Sequence, residues 1–176
     1  EAVTTYVKTE MGRAEHLGDD KRKVTIGFAL TSLQRRLASS PAAIALSLER
    51  RHNKLQRRLE EAKLLHRGQP LNGVSGNSAP AQQAPDDLDD LDAAEIEQLE
   101  EDLVDHASAA KNIVELEAEI YSLAALVEQA RRVCSAGIDR KWSELSGLLQ
   151  NTPEMFDTTG ARRKLIIFTE HRDTLN

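Results

Sequence analysis

The chain has 176 residues, of which 40% are hydrophobic, 30% are charged and only 3% are aromatic. This length allows one domain with its own core, and the dominance of Leu, Ala, Glu and Arg over aromatic residues favours an all-α bundle or coiled coil rather than a β-sandwich. A net charge of -6 argues against bulk electrostatic attraction to nucleic acid or to a membrane surface.

The N-terminal part predicts two amphipathic helices. Residues 1–17 form the first, whose apolar face carries Val3, Tyr6, Val7, Met11 and Ala14. Residues 24–39 form the second, with Ile26, Leu30, Leu33 and Leu37 spaced by three and four positions. Gly18, Asp19 and Asp20 separate the two helices.

The stretch from Pro41 to Leu65 predicts the helix around which the chain is organised. Ser40 can accept a hydrogen bond from the free amide groups of the first turn, and Pro41 suits a position where no amide hydrogen is needed. The apolar seam approaches a heptad repeat and consists of Ile44, Leu48, His52, Leu55, Leu59 and Ala62. The flanks are basic and carry Arg50, Arg51, Lys54, Arg57, Arg58 and Lys63. So narrow a seam requires a second helix to cover it.

Residues 66–91 are rich in Gly, Pro, Ser, Asn and Gln and predict a flexible linker or the tip of an arm. Residues 92–105 predict a short acidic helix with Ile96, Leu99 and Leu103 on its inner side. Residues 111–135 predict a long helix with a regular seam of Ile113, Leu116, Ile120, Leu123, Val127, Ala130 and Cys134. Its length matches that of the helix from Pro41 to Leu65, so we expect the two to form an antiparallel helical hairpin arm.

The C-terminal part predicts one more helix and one strand. Residues 138–149 place Trp142, Leu145, Leu148 and Leu149 on one side, and we expect Trp142 to pack in the core rather than to mark an interface. Residues 151–163 are expected to form a loop. Residues 164–169, KLIIFT, predict a strand of the kind that is buried on both faces of a parallel sheet. A single strand needs neighbours, so we expect the chain to be a piece of a larger protein.

Three stretches carry a resemblance to a known family. They are EAVTTYVKTEM at residues 1–11, GFALTSLQRRLASSP at residues 27–41 and RRKLIIFTEHRDTLN at residues 162–176. In their order and in the helical spacer between them, they resemble the middle of a superfamily 2 helicase of the Swi/Snf type, in its bacterial HepA/RapA-like branch. The resemblance covers the two ends well and the middle only by architecture.

The resemblance implies a parent protein that is an ATP-dependent helicase or translocase on duplex DNA. Residues 1–65 would leave the first RecA-like lobe and begin the arm, and residues 92–150 would complete the arm and return from it. Residues 164–176 would then begin the second lobe. No GxxxxGK[ST] loop, DExH motif or arginine finger is present, so we expect no catalytic residue and no cofactor here, whereas ATP and magnesium are expected for the parent. The alternative is a stand-alone coiled-coil module for protein–protein interaction.

Two candidate nucleic-acid sites follow. The first is a basic face that includes Arg35, Arg36, Arg50, Arg51, Arg57 and Arg58 and that could lie along a DNA backbone. The alternative for this face is a solvated flank that pairs with the acidic helix at residues 92–105. The second site follows from the resemblance, which implies phosphate contacts by Thr169, His171 and Arg172 at the end of the strand. The alternative there is a polar turn between a strand and a helix.

Other kinds of site and compartment are not favoured. The five His residues share no ligand-like spacing, and the single cysteine, Cys134, cannot form an internal disulfide, so we expect no metal. No apolar run is long enough to span a membrane and no secretory signal is visible, so we expect no membrane partner. A reducing cytosol, with association to the nucleoid through the parent motor, is the expected location. A protein partner for the helical arm remains open.

Overall fold

The structure is a computed structural model that describes residues 1–65, 93–137 and 139–168. Its described part is mainly helical and contains no sheet. The helices are α1 (Ala2–Glu15), α2 (Asp20–Ser39), α3 (Pro41–Leu65), α4 (Ala93–His106), α5 (Ile113–Ser135) and α6 (Arg140–Asn151), followed by a 3-10 turn at Pro153–Met155. None of these helices is both long and apolar enough to cross a bilayer. The linker predicted at residues 66–91 lies outside the described residues.

Polar capping residues set where the helices begin. The Ser40 hydroxyl accepts a hydrogen bond from the Ala43 amide at 3.0 Å, and α3 starts at Pro41 as predicted. Asp19, Asn112 and Asp139 cap α2, α5 and α6 in the same way. The predicted starts differ from those in the structure by four residues for α2 and by two residues for α5 and α6, because none of the three was placed at the capping residue.

Helix α3 lies at the centre of the bundle. It packs most extensively against α5 and also contacts α2 and α4, while α1 packs on α2 and reaches α5. The core includes the fully buried Val7, Leu48, Leu55 and Leu123. Every one of the helices α1 to α5 therefore contributes to one contiguous core.

The two long helices run in opposite directions. Glu49 near the start of α3 pairs with Arg131 near the end of α5 at 2.5 Å, and Lys63 near the end of α3 pairs with Glu117 near the start of α5 at 2.6 Å. Because the early residues of one helix meet the late residues of the other, the pair is antiparallel. Burial of the two apolar seams against each other accounts for this arrangement.

The C-terminal part of the described chain adds little to the core. Helix α6 has no buried residue, and Phe156 and Arg162 form an isolated antiparallel bridge. Residues 164–168 are exposed and pair with no described strand, and Thr169 lies outside the described residues, so the strand at residues 164–169 stays a prediction.

Two side chains predicted to be buried are exposed. Trp142 is 63% exposed, so the expected core position is wrong. The apolar side of α6, on which Trp142 lies, is not packed into the core of the bundle. Cys134 is also exposed, because the buried seam of α5 ends at Ala130.

Candidate nucleic-acid interface

Arg51 occupies the seam position of α3 that the sequence pattern predicted for His52. The side chain of Arg51 is 1% exposed, whereas His52 is only half-buried. Leu48, Arg51 and Leu55 are spaced by three and four residues, so they lie on one face of α3. This face packs against α5. The prediction that Arg51 faces outward as a DNA contact is therefore wrong.

The guanidinium of Arg51 is surrounded by hydrogen-bond acceptors. Its Nη2 donates to Glu119 Oε1 at 2.8 Å, its Nε donates to the Tyr6 hydroxyl at 2.9 Å, and its Nη1 donates to the carbonyl oxygen of Val104. The Tyr6 hydroxyl in turn donates to Glu119 Oε1 at 2.9 Å, and the Ser108 hydroxyl donates to Glu119 Oε2 at 2.5 Å. We call this set the Arg51–Glu119 network.

The environment of the network raises the pKa values of Tyr6 and Arg51. Burial raises the pKa of Tyr6 far above its ordinary value, so the hydroxyl stays protonated and remains a donor to Glu119. Burial on its own would lower the pKa of Arg51, but Tyr6 and Glu119 outweigh it and the pKa is raised. Arg51 therefore stays charged although it is buried.

A second set of basic residues pairs with the acidic helix α4. Arg36 is 2% exposed, and its Nη1 donates to the Ser47 hydroxyl at 2.9 Å and lies 3.5 Å from Glu101 Oε1. Arg50 Nη2 lies 3.1 Å from the same Glu101 oxygen, and Arg50 Nε lies 3.9 Å from Asp105 Oδ2. Arg36 and Arg50 therefore pair with the acidic helix, which was the alternative to DNA contact for the basic face. The prediction that Arg36 faces outward as a DNA contact is wrong.

The remaining predicted contacts differ in accessibility. Arg35 and Arg57 are exposed, while Arg58 is half-buried. Burial, and then the nearby charge of Arg22, lower the pKa of Arg58. DNA contact through the exposed members stays a prediction. Thr169, His171 and Arg172 lie outside the described residues.

Sequence reasoning missed the acidic members of these clusters. Glu119 is 1% exposed and lies on the buried face of α5 between Leu116 and Leu123. Asp105 is 4% exposed near the end of α4. The sequence does contain a signal for Glu119. A Glu that lies between the leucines of an apolar seam is buried, and a buried carboxylate requires a cation opposite it.

The described residues hold no group of three or more His, Cys, Asp or Glu side chains that could hold a metal ion. Comparison of the chain with protein-family models, with curated proteins and with solved structures finds no match.

The Arg51–Glu119 network predicts strong energetic coupling between two helices. Arg51→Met or Glu119→Leu alone should reduce the free energy of unfolding by about 3–5 kcal/mol, because each leaves a buried charge unpaired. The double variant should lose less than the sum of the two, with a coupling energy of about 1–3 kcal/mol in urea denaturation followed by circular dichroism. Glu117→Leu on the same helix, at a half-exposed ion pair, is the control and should cost less than about 1 kcal/mol. Additive losses would contradict the pairing.

The Asp105 carboxyl predicts a pH-dependent contribution to stability. Burial, together with the charge of Glu101, outweighs Arg50 and raises its pKa from 3.8 to about 6. Between about pH 4 and pH 6 the folded protein keeps the proton on Asp105, whereas the unfolded chain has lost it. The contribution of Asp105 to the free energy of unfolding is therefore present below pH 4 and is lost as the pH rises through about 6. We expect Asp105→Asn to gain stability relative to the unsubstituted protein by about 2–3 kcal/mol between pH 4 and pH 7. Urea denaturation at several pH values measures this difference, and a constant difference would refute the assignment.

Proposed function

We propose that this chain is the helical region between the two RecA-like lobes of an ATP-dependent DNA helicase or translocase of the Swi/Snf type. In this proposal the chain braces the two lobes, and the α3–α5 pair presents an arm to duplex DNA or to a protein partner. ATP and magnesium bind to the lobes. Thr169, His171 and Arg172 contact phosphates at the start of the second lobe.

One observation carries the proposal. Leu165, Ile166, Ile167 and Phe168 are 49%, 76%, 57% and 89% exposed, on a segment that pairs with no described strand. Burial of a large apolar side chain stabilises a protein by roughly 1.5–3 kcal/mol, so four adjacent exposed ones are a strong reason for a further structure to cover them. A parallel sheet covered on both faces buries such a run, and this is the place that the resemblance gives to KLIIFT.

The arrangement of the helices supports the bracing role. The Arg51–Glu119 network ties α1 to α3 and α5, so the N-terminal helix is held rigidly on the bundle. In the proposed parent, α1 leaves the first lobe and residues 164–168 enter the second. The bundle therefore lies between the two lobes along the chain.

A second function is favoured by a different observation. The buried core of the described chain comes from α1 to α5 together with the loop between α4 and α5, and α6 adds no buried residue. The bundle thus has the features of a self-contained unit, as expected of a stand-alone interaction module. If the chain is such a module, residues 164–168 do not belong to the lobe of a motor protein.

Hydrolysis of ATP by the full-length protein distinguishes the two functions. Under the motor proposal the full-length protein hydrolyses ATP in a DNA-stimulated manner, whereas the 176-residue chain alone does not. Ile166→Asp in the full-length protein should reduce the DNA-stimulated rate at least tenfold, because a charge in a covered sheet costs several kcal/mol. Val24→Asp, at a site that is 67% exposed on α2, is the matched control and should leave the rate unchanged. Absence of DNA-stimulated hydrolysis, or equal rates for both variants, would favour the interaction module.

The exposed part of the basic face provides a test of DNA contact. Arg57→Glu should weaken binding of the chain to a short duplex and reduce the slope of log affinity against log salt by about 1, because one phosphate contact is lost. Fluorescence anisotropy between low and moderate salt measures both quantities. Lys8→Glu carries the same charge change at an exposed position of α1 and should alter the slope less. If both variants behave alike, net charge rather than this face governs binding.

A further inference from the structure

Arg58 on α3 carries a half-buried guanidinium that has no acceptor among the described residues. It makes neither a hydrogen bond nor an ion pair with them. The other buried or half-buried arginines of the described chain all donate to carboxylates, hydroxyls or carbonyl oxygens, and they are Arg13, Arg22, Arg36, Arg50 and Arg51. Because a guanidinium that is withdrawn from water without an acceptor costs free energy, Arg58 requires a partner.

A second arginine lies beside Arg58. Arg22, near the start of α2, donates from Nη2 to the carbonyl oxygens of Ser108 and Ala110, both at 2.9 Å, so its guanidinium is held against the loop between α4 and α5. Burial lowers the pKa of Arg58, and the charge of Arg22 lowers it further. Because like charges repel, the approach of the two side chains has a cost that an anion between them would remove.

The nearby carboxylate does not neutralise this pair of arginines. Against the larger effects of burial and of Arg22, Glu119 raises the pKa of Arg58 only to a lesser extent. Both carboxylate oxygens of Glu119 already accept hydrogen bonds from the other members of the Arg51–Glu119 network. Neither Arg22 nor Arg58 forms an ion pair with a carboxylate in the part of the chain that the structure describes, so their two charges are not compensated there.

We propose that Arg22 and Arg58 together bind one phosphate group beside the loop between α4 and α5. The phosphate oxygens accept hydrogen bonds from Arg58 and from the nitrogens of Arg22 that the loop carbonyls leave open. Planar guanidinium groups match the spacing of phosphate oxygens, and two of them compensate more negative charge than one carboxylate carries. The group belongs either to a free phosphate ester or to a DNA backbone. The site goes beyond the two functions proposed above and depends on neither.

Loss of the Arg58 charge should stabilise the chain when no phosphate is present. Arg58→Met keeps an unbranched side chain and removes a half-buried cation that Arg22 repels. In chloride buffer we expect its urea midpoint, followed by circular dichroism, to lie above that of the unsubstituted chain. Arg57→Met removes the same charge at the neighbouring exposed position and should leave the midpoint unchanged. A midpoint of Arg58→Met at or below that of this control would show that the chain itself compensates Arg58, and it would overturn the proposal.

Titration with inorganic phosphate tests the site directly. Isothermal titration calorimetry at constant ionic strength should give the 176-residue chain a dissociation constant on the order of 1 mM. Arg58→Met should raise this constant by about tenfold or more, because charge-assisted hydrogen bonds to the phosphate are lost, whereas Arg57→Met should leave it unchanged. Phosphate should also raise the urea midpoint of the unsubstituted chain but not that of Arg58→Met. A chain that binds no phosphate, or equal affinities of the two variants, would contradict the site.

The second arginine is tested in the same titration. Arg22→Met should weaken phosphate binding to a similar degree as Arg58→Met. The substitution also removes two hydrogen bonds to the loop, so a thermal melt followed by circular dichroism verifies that the variant is folded. A folded Arg22→Met chain that binds phosphate as tightly as the unsubstituted chain would exclude the pair as the binding unit.

Competition with a short DNA duplex assigns the source of the phosphate group. A duplex that lowers the apparent affinity for inorganic phosphate occupies the site with its backbone, whereas a duplex without this effect leaves the site to a free phosphate ester. Phosphate binding is measured on the chain without ATP, and the motor proposal is tested by ATP hydrolysis of the full-length protein. Failure of the phosphate site is therefore distinguishable from failure of the motor proposal.

Discussion

The bundle depends on a charge that is buried at its centre. Arg51 in α3 is held by Glu119 of α5, by the hydroxyl of Tyr6 in α1 and by the backbone of α4 at Val104. Four helices are thus joined at one point, and a shift of any of them along its axis would leave a buried charge or hydroxyl without its hydrogen bonds. Apolar seams alone tolerate such shifts, because one leucine resembles the next. The network therefore specifies the register in which the helices pack.

The sequence was informative where local chemistry decides the structure. The start of α3 follows from Ser40 and Pro41, and the helical class follows from the three-and-four spacing of apolar residues. It was misleading where burial depends on distant residues. Whether Arg51 points to solvent or to the core is decided by Glu119, which is 68 positions away, and a pattern that treats every charge as exposed assigns the seam to His52 instead.

The candidate nucleic-acid site was only partly predictable for a related reason. The basic face of α2 and α3 suggested a surface for DNA, and in the structure several of its residues pair with other helices instead. Arg36 and Arg50 meet Glu101 of α4, and Lys63 meets Glu117 of α5. The apolar run at residues 165–168 is exposed and contacts no described strand. A sequence pattern states that such a run requires cover, and it does not state what supplies it.

The hydrogen bond between Tyr6 and Glu119 joins residues that are 113 positions apart. A ribosome adds about 5–20 residues per second, so α1 waits at least several seconds after its own synthesis before its acceptor has been made. During that interval the apolar side of the nascent helix, with Val7, lacks the α5 surface that it contacts in the finished bundle. Non-local contacts of this kind slow folding, because the cost of closing a long loop precedes the gain from the contact.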